Sequence, residues 1–336
     1  MRNGASPGWI ALPAGLLAVA LLGCAGPAAD RAPPSLLADD DRLCAARVGA
    51  RPEPPGKDPG AGPGDLVASG FSRNAAEVAD AIGAGAPLLQ MAMLEARGPR
   101  GLAEELRLLR LRQAVMDRIM LTMLDISGML AAIDCEGERG DQLRVRLQGI
   151  ENRRTRSLGI ASIMVGALTA AVSGGLSVAG VGGSDVAAMT GGLAEASVAT
   201  ALLFGSASGR LRSERNLLRD VWLRPARSDL FPAPVWRYLT RRPDGEAGRP
   251  SIAEAVIAAW RAADLLGEPG SDTERARIAL LFGPGGVYTV EELEARDAML
   301  DLLEAQIALM SGDLRLLLQE LLARSGPTAA PPPRLG

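Results

Sequence analysis

The chain has 336 residues, a formal net charge of −3 with both signs interspersed, no histidine, three cysteines and only 3% aromatic residues. Without histidine, no Ser-His-Asp or Cys-His arrangement and no histidine-ligated metal centre can be built; no cofactor is expected. The balanced charge gives nucleic acid no basic footprint. Carboxylate-only hydrolysis needs just two acids and survives this exclusion. The acids, however, fall mostly on helical faces interleaved with arginine, as in Glu291, Glu292, Glu294 and Asp297, which reads as solvated helix surface. No P-loop, GxGxxG or SxxK motif occurs.

At the N-terminus, Arg2 precedes an apolar run from Ile10 to Leu22, which ends in Leu21-Leu22-Gly23-Cys24. A run of about a dozen apolar residues is too short for a stable membrane span and suits a secretory h-region. The order of charge, apolar core, small residue and cysteine resembles the signal peptide and lipobox of Gram-negative bacterial lipoproteins. That resemblance covers residues 1–24 only. It implies cleavage before Cys24, leaving residues 1–23 as the signal peptide, and acylation of Cys24. Because Ala25 rather than aspartate follows, it also implies sorting to the cell outer membrane, with the lipid-anchored chain facing the periplasm. The competing reading is an ordinary signal peptide cut after Ala25 or Ala28. More than one acyl chain gives stable anchoring where one is marginal.

Residues 24–65 are rich in Pro, Gly, Ala and Asp, with Pro33-Pro34 and Pro52-Glu53-Pro54-Pro55. They read as a disordered tether with one short ordered piece around Cys44. Once Cys24 is used by lipid, Cys44 and Cys135 remain. In an oxidising compartment they are expected to form a disulfide, closing a loop of roughly 90 residues and contributing on the order of 4 kcal/mol. Two unpaired buried thiols are the alternative.

From residue 66 the pattern turns helical. Ser72 caps a helix to about Arg97, and Gly98-Pro99 breaks it. A second helix runs from Gly101 to Cys135. Leu108, Leu111, Val115, Ile119, Ile126, Met129 and Ile133 line one face at three- and four-residue steps. Leu102, Leu106, Leu109, Met116, Met120 and Met123 widen it, so the helix is expected to be buried on more than one side. Gly137 to Gly140 is read as a break, with a new helix from Asp141.

Residues 158–209 form an apolar, glycine-rich stretch. No charge occurs between Arg156 and Asp185, and only Glu195 between Asp185 and Arg210. Gly159, Gly166, Ala170, Ser173 and Ser177 on the first arm, and Gly191, Ala194, Ala201 and Gly205 on the second, recur at helical spacing. Such small-residue stripes let two helix backbones approach closely. Gly180 to Ser184 supplies the turn. Arms of about 24 residues would reach about 36 Å, enough to span a bilayer. Against insertion, the arms are poor in Leu, Ile and Phe, and Glu195 would cost roughly 2.5–3.5 kcal/mol at mid-membrane. A tight helical pair packed in water is the other reading. In architecture alone, a helical body carrying one apolar hairpin resembles the α-helical pore-forming toxins.

In residues 225–325, Leu211–Leu223 having continued the second arm as a polar helix, Phe231 to Leu239 is read as a loop that packs aromatics into the bundle or docks a partner. Ser251-Ile252-Ala253-Glu254 is a capping box opening a helix to about Leu266. A short helix follows over Thr273–Phe282, then a brief extended piece over Gly285–Thr289. A second capping box, Thr289-Val290-Glu291-Glu292, starts a long helix to about Arg324. There Leu293, Leu300, Ile307, Leu314 and Leu321 repeat every seven residues, with Leu303, Met310 and Leu317 in the partner positions, a coiled-coil-like seam within the chain or against a second copy. Residues 326–336 are a Pro-rich tail expected to be disordered.

The fold class expected is all-α, an elongated helical bundle with a long antiparallel glycine-rich hairpin in a 66–224 helical domain and a C-terminal coiled-coil-like helix. The expected function is a non-enzymatic envelope lipoprotein, a scaffold or adaptor facing the periplasm. The alternatives are a membrane-inserting or pore-forming hairpin protein and a carboxylate-dependent hydrolase. Expected partners are the lipid bilayer through the N-terminal acyl chains, and envelope proteins or a second copy.

Overall fold

The computed structural model describes Cys44 and residues 62–98, 101–178, 207–242 and 248–325. Among them the chain is mostly helical, with nine helices and one two-stranded sheet. Cys24, the signal peptide, most of the tether and the tail lie outside the described residues.

The helical region starts earlier than its composition suggests. Pro63–Ala68 forms α1, with proline in the first turn where its missing N–H costs nothing. The helix expected over 72–97 is two: α2 (Arg73–Ala81), with the Ser72 hydroxyl accepting from Ala75 N as expected of an N-cap, and α3 (Gly85–Ala96). Gly83, at φ +73°, turns the chain between them.

The expected break at Gly137–Gly140 does not occur. A single helix, α4, runs from Leu102 to Val178, 77 residues, or roughly 115 Å at 1.5 Å per residue. Glycine weakens a helix interior by only about 1 kcal/mol, which packing can offset. At Gly137 the packing is visible: a Cβ there would lie 3.3 Å from Asp297 Oδ1.

The segment 211–223 is not a continuation of a helical arm. Ser208–Arg212 is a strand, β1, followed by a short helix α5 (Leu217–Leu223). Asn216 redirects the chain. Its side-chain oxygen accepts from Leu218 N, while its amide donates to the carbonyls of Leu281 and Gly283. The aromatic segment is also helical: α6 (Ala233–Thr240) buries Val235, Trp236, Tyr238 and Leu239, with Phe231 just before it. These aromatics are therefore core, not a docking surface.

The Ser251–Glu254 capping box is formed and opens α7, which ends at Ala262, where Asp264 takes a left-handed conformation, rather than at Leu266. Helix α8 spans Asp272–Leu281. Strand β2 (Gly285–Thr289) pairs antiparallel with β1, Ser208 opposite Thr289 and Arg212 opposite Gly285. Gly285 has φ +95°, and a Cβ there would sit 2.3 Å from Leu211 O, so glycine is required at this corner.

Helix α9 (Val290–Ser325) follows directly, its first turn closed by reciprocal bonds between Thr289 and Glu292. Contacts pair Arg144 with Glu294, Gly137 with Asp297 and Asp134 with Glu304. Numbers fall on one side as they rise on the other, so α9 runs antiparallel to α4. All eight seam residues, Leu293 to Leu321, are buried. They pack inside the chain against α4 and α2, with α6 and α7 alongside. One contiguous core includes residues from α1 through α9, so the 66–224 and 225–325 regions share it.

Candidate functional site

Two features of α4 stand out: a buried charged cluster next to the disulfide, and an apolar face that none of the described residues covers.

Cys44 and Cys135 are bonded, with Cα atoms 5.3 Å apart and 91 residues apart in sequence. Cys44 is buried. The bond fixes the end of the N-terminal segment to the middle of α4. The next residue, Glu136, lies at the bottom of the α4–α9 seam, 3% exposed; Arg139 and Arg296 are 1% and 2% exposed. Arg139 Nη1 donates to Glu136 Oε1 at 2.6 Å, and Arg296 Nη2 to Oε2 at 2.8 Å. Arg296 Nη1 also donates to the Glu136 backbone carbonyl, and Arg139 Nη2 to the carbonyl of Arg212 in β1. One carboxylate thus joins α4 to α9, and one guanidinium joins α4 to the sheet. Burial raises the pKa of Tyr288 nearby, whose hydroxyl donates to Leu280 O.

The two buried acids among the described residues, Glu136 and Glu274, are held by different arginines; Glu274 pairs with Arg261 at 2.7 Å. Two acids facing each other across a cleft, the arrangement glycoside hydrolysis needs, are not formed by these two. Among the described residues no group of His, Cys, Asp and Glu is arranged to hold a metal ion.

Along the rim of the seam, Asp134 and Asp141 of α4 meet Asp297, Asp301 and Glu304 of α9. Desolvation, then Asp134 and Asp301, raise the pKa of Glu304; desolvation, then Asp141 and Asp301, raise that of Asp297. A carboxylate whose folded pKa lies above its unfolded value destabilises the fold at neutral pH, and that penalty is relieved as pH falls through the folded pKa. Glu254 behaves oppositely. Its bond from Arg242 and the Ser251 N–H hold it down to about 2, so its contribution is full above the unfolded carboxylate pKa and disappears only in strong acid. Stability should therefore rise as pH falls from neutral and these two carboxyls take up protons, then fall as Glu254 is protonated in strong acid. Glu304→Gln should raise the neutral-pH stability by about 0.5 kcal/mol and flatten that rise, as read by urea denaturation across pH.

The expectation that α4 is buried on more than one side fails. Val115, Ile119, Ile126, Met129 and Ile133 face the core, but Leu102, Leu106, Leu109, Met120 and Met123 are exposed, as are Leu121 and Leu124. Leu102 is 74% and Leu124 68% exposed. Periodicity marks a face as apolar without saying whether the same chain covers it.

Of the small residues singled out in the apolar stretch, Gly159 sits in α4, where a Cβ would meet no described atom within 4 Å. Gly166, Ala170, Ser173 and Ser177 are on the helical backbone of the same element. Gly191, Ala194, Ala201 and Gly205 lie outside the described residues. Residues 208 and 209, the end of the expected second arm, are strand. No helix among the described residues is long and apolar enough to cross a membrane.

No family model, curated protein or solved structure matches the chain.

Proposed function

We propose that the protein is an envelope lipoprotein of the outer membrane, a non-enzymatic helical scaffold held by acyl chains on Cys24. The carrying observation is the sequence Leu21-Leu22-Gly23-Cys24 after a short apolar run. The Cys44–Cys135 bond supports it, because structural disulfides persist in oxidising compartments such as the periplasm. In this reading residues 25–43 span the whole distance between lipid and body, since Cys44 is bonded to Cys135 of α4. At most they reach about 65 Å when fully extended.

The elongated shape with an antiparallel hairpin belongs to the same proposal. α4 continues to Val178, yet Ala207 N donates to Glu151 Oε1 at 2.9 Å. Residues 179–206 must therefore return along about 40 Å of the α4 axis, close to the rise of a helix of that length. This supports a second arm lying against the first, and it equally serves the alternative in which the hairpin enters a bilayer.

Cell fractionation tests the anchor. The wild type should remain with outer membranes after a high-salt wash, and Cys24→Ala should appear in the soluble fraction with its disulfide intact. If Cys24→Ala stays with washed membranes, the lipid is not the main anchor.

A further inference from the structure

We propose that the exposed face of α4 pairs two copies of the chain as a parallel, in-register two-stranded coiled coil. The pairing does not rest on the lipid anchor.

Leu102, Leu106, Leu109, Met116, Met120 and Met123 step along α4 by fours and threes, the a and d spacing of a coiled-coil seam. Most of this stripe is exposed, with Met116 half-buried, whereas Val115 and Ile126 are packed into the core, as is Ile119, the g residue beside Met120.

The flanking charges select the partner. With Leu106, Gln113 and Met120 at a, the g positions carry Glu105 and Arg112, and the e positions five residues on carry Arg110 and Asp117. In a parallel in-register dimer each g residue faces the e residue of the other copy. Glu105 then meets Arg110, and Arg112 meets Asp117, each twice by symmetry, so all four contacts are attractive. An antiparallel pairing on the same stripe brings only Arg110 and Asp117 together. The one polar residue in the gap of the stripe, Gln113, is exposed and donates to Asp117 Oδ1 of its own helix at 2.7 Å. A polar side chain at a single a position fixes register in such dimers at some cost in stability; here Gln113 would face Gln113.

The test uses the full chain in detergent, with micelles in molar excess, followed by sedimentation equilibrium. The wild type should dimerise reversibly. Arg110→Glu sets Glu105 against a second acid and should weaken the dimer at least tenfold. Adding Glu105→Arg to Arg110→Glu should restore it. Both residues are exposed, so neither change disturbs the fold. Ser127→Cys reports direction: at the next a position, it should form an intermolecular disulfide beyond the wild-type background only if the helices are parallel, since an antiparallel partner places it about 37 Å away. A monomer at every concentration overturns the proposal, whether the face is then found against a vesicle surface or against another segment of the chain. So does a dimer insensitive to the charge swap, or one that Ser127→Cys does not crosslink.

Discussion

Glu136→Ala should lower the unfolding free energy by about 3–5 kcal/mol. The side chain is buried, and both carboxylate oxygens accept from arginines that are themselves buried, Arg139 and Arg296. Removing it leaves two guanidinium groups in a low-dielectric seam with no counter-charge, and the cost of desolvating them is no longer offset. Glu136→Gln keeps the shape and should still lose most of this stability, which separates charge from volume. Replacing all three residues together by Leu, Met and Met removes the whole desolvation burden. It should therefore be much less harmful than Glu136→Ala alone. Urea denaturation followed by far-ultraviolet circular dichroism reads all three. A midpoint for Glu136→Ala within error of the wild type would show that the cluster does not hold the α4–α9 seam.

The second large effect comes from the disulfide. Opening it with Cys44→Ser and Cys135→Ser together should reduce stability by about 4 kcal/mol, because the closed loop of 91 residues restricts the unfolded chain. The folded body should keep its helix content, since the core of α2 through α9 does not depend on Cys44. Proteolysis should then cut residues 25–61 faster, as the N-terminal segment is no longer tied to α4. Thermal denaturation with and without reductant gives the magnitude, and the reduced wild type should match the double variant.

The sequence was most legible where a pattern was closed locally. The α9 seam could be read because Leu293 to Leu321 keep strict heptad spacing and the Thr289–Glu292 box marks the start. The Ser72 and Ser251 caps were readable for the same reason. What failed depended on partners far along the chain. Gly137 and Gly140 look like a helix break until Asp297 and Arg296 occupy the space beside them. Strand β1 is five residues, Ser-Gly-Arg-Leu-Arg, with too little alternation to announce itself, and its partner β2 lies more than 70 residues away. The buried cluster had a signal that went unread. Glu136 lies on the same helical stripe as Met129, Ile133, Leu143 and Leu147, and Arg296 falls between Leu293 and Leu300 on the α9 seam. Each is a charge in an apolar stripe, and two such charges of opposite sign are a candidate buried pair. The apolar second face of α4 was visible as apolar. That none of the described residues covers it required their packing.

Intact-mass and tandem mass spectrometry of the protein purified from its own membranes reads the state of Cys24 itself. The mature chain is expected to begin at Cys24, with acyl groups on its thiol and amino group. A mature chain that begins downstream of Cys24, or at Cys24 with no lipid, would contradict the proposed lipid anchor.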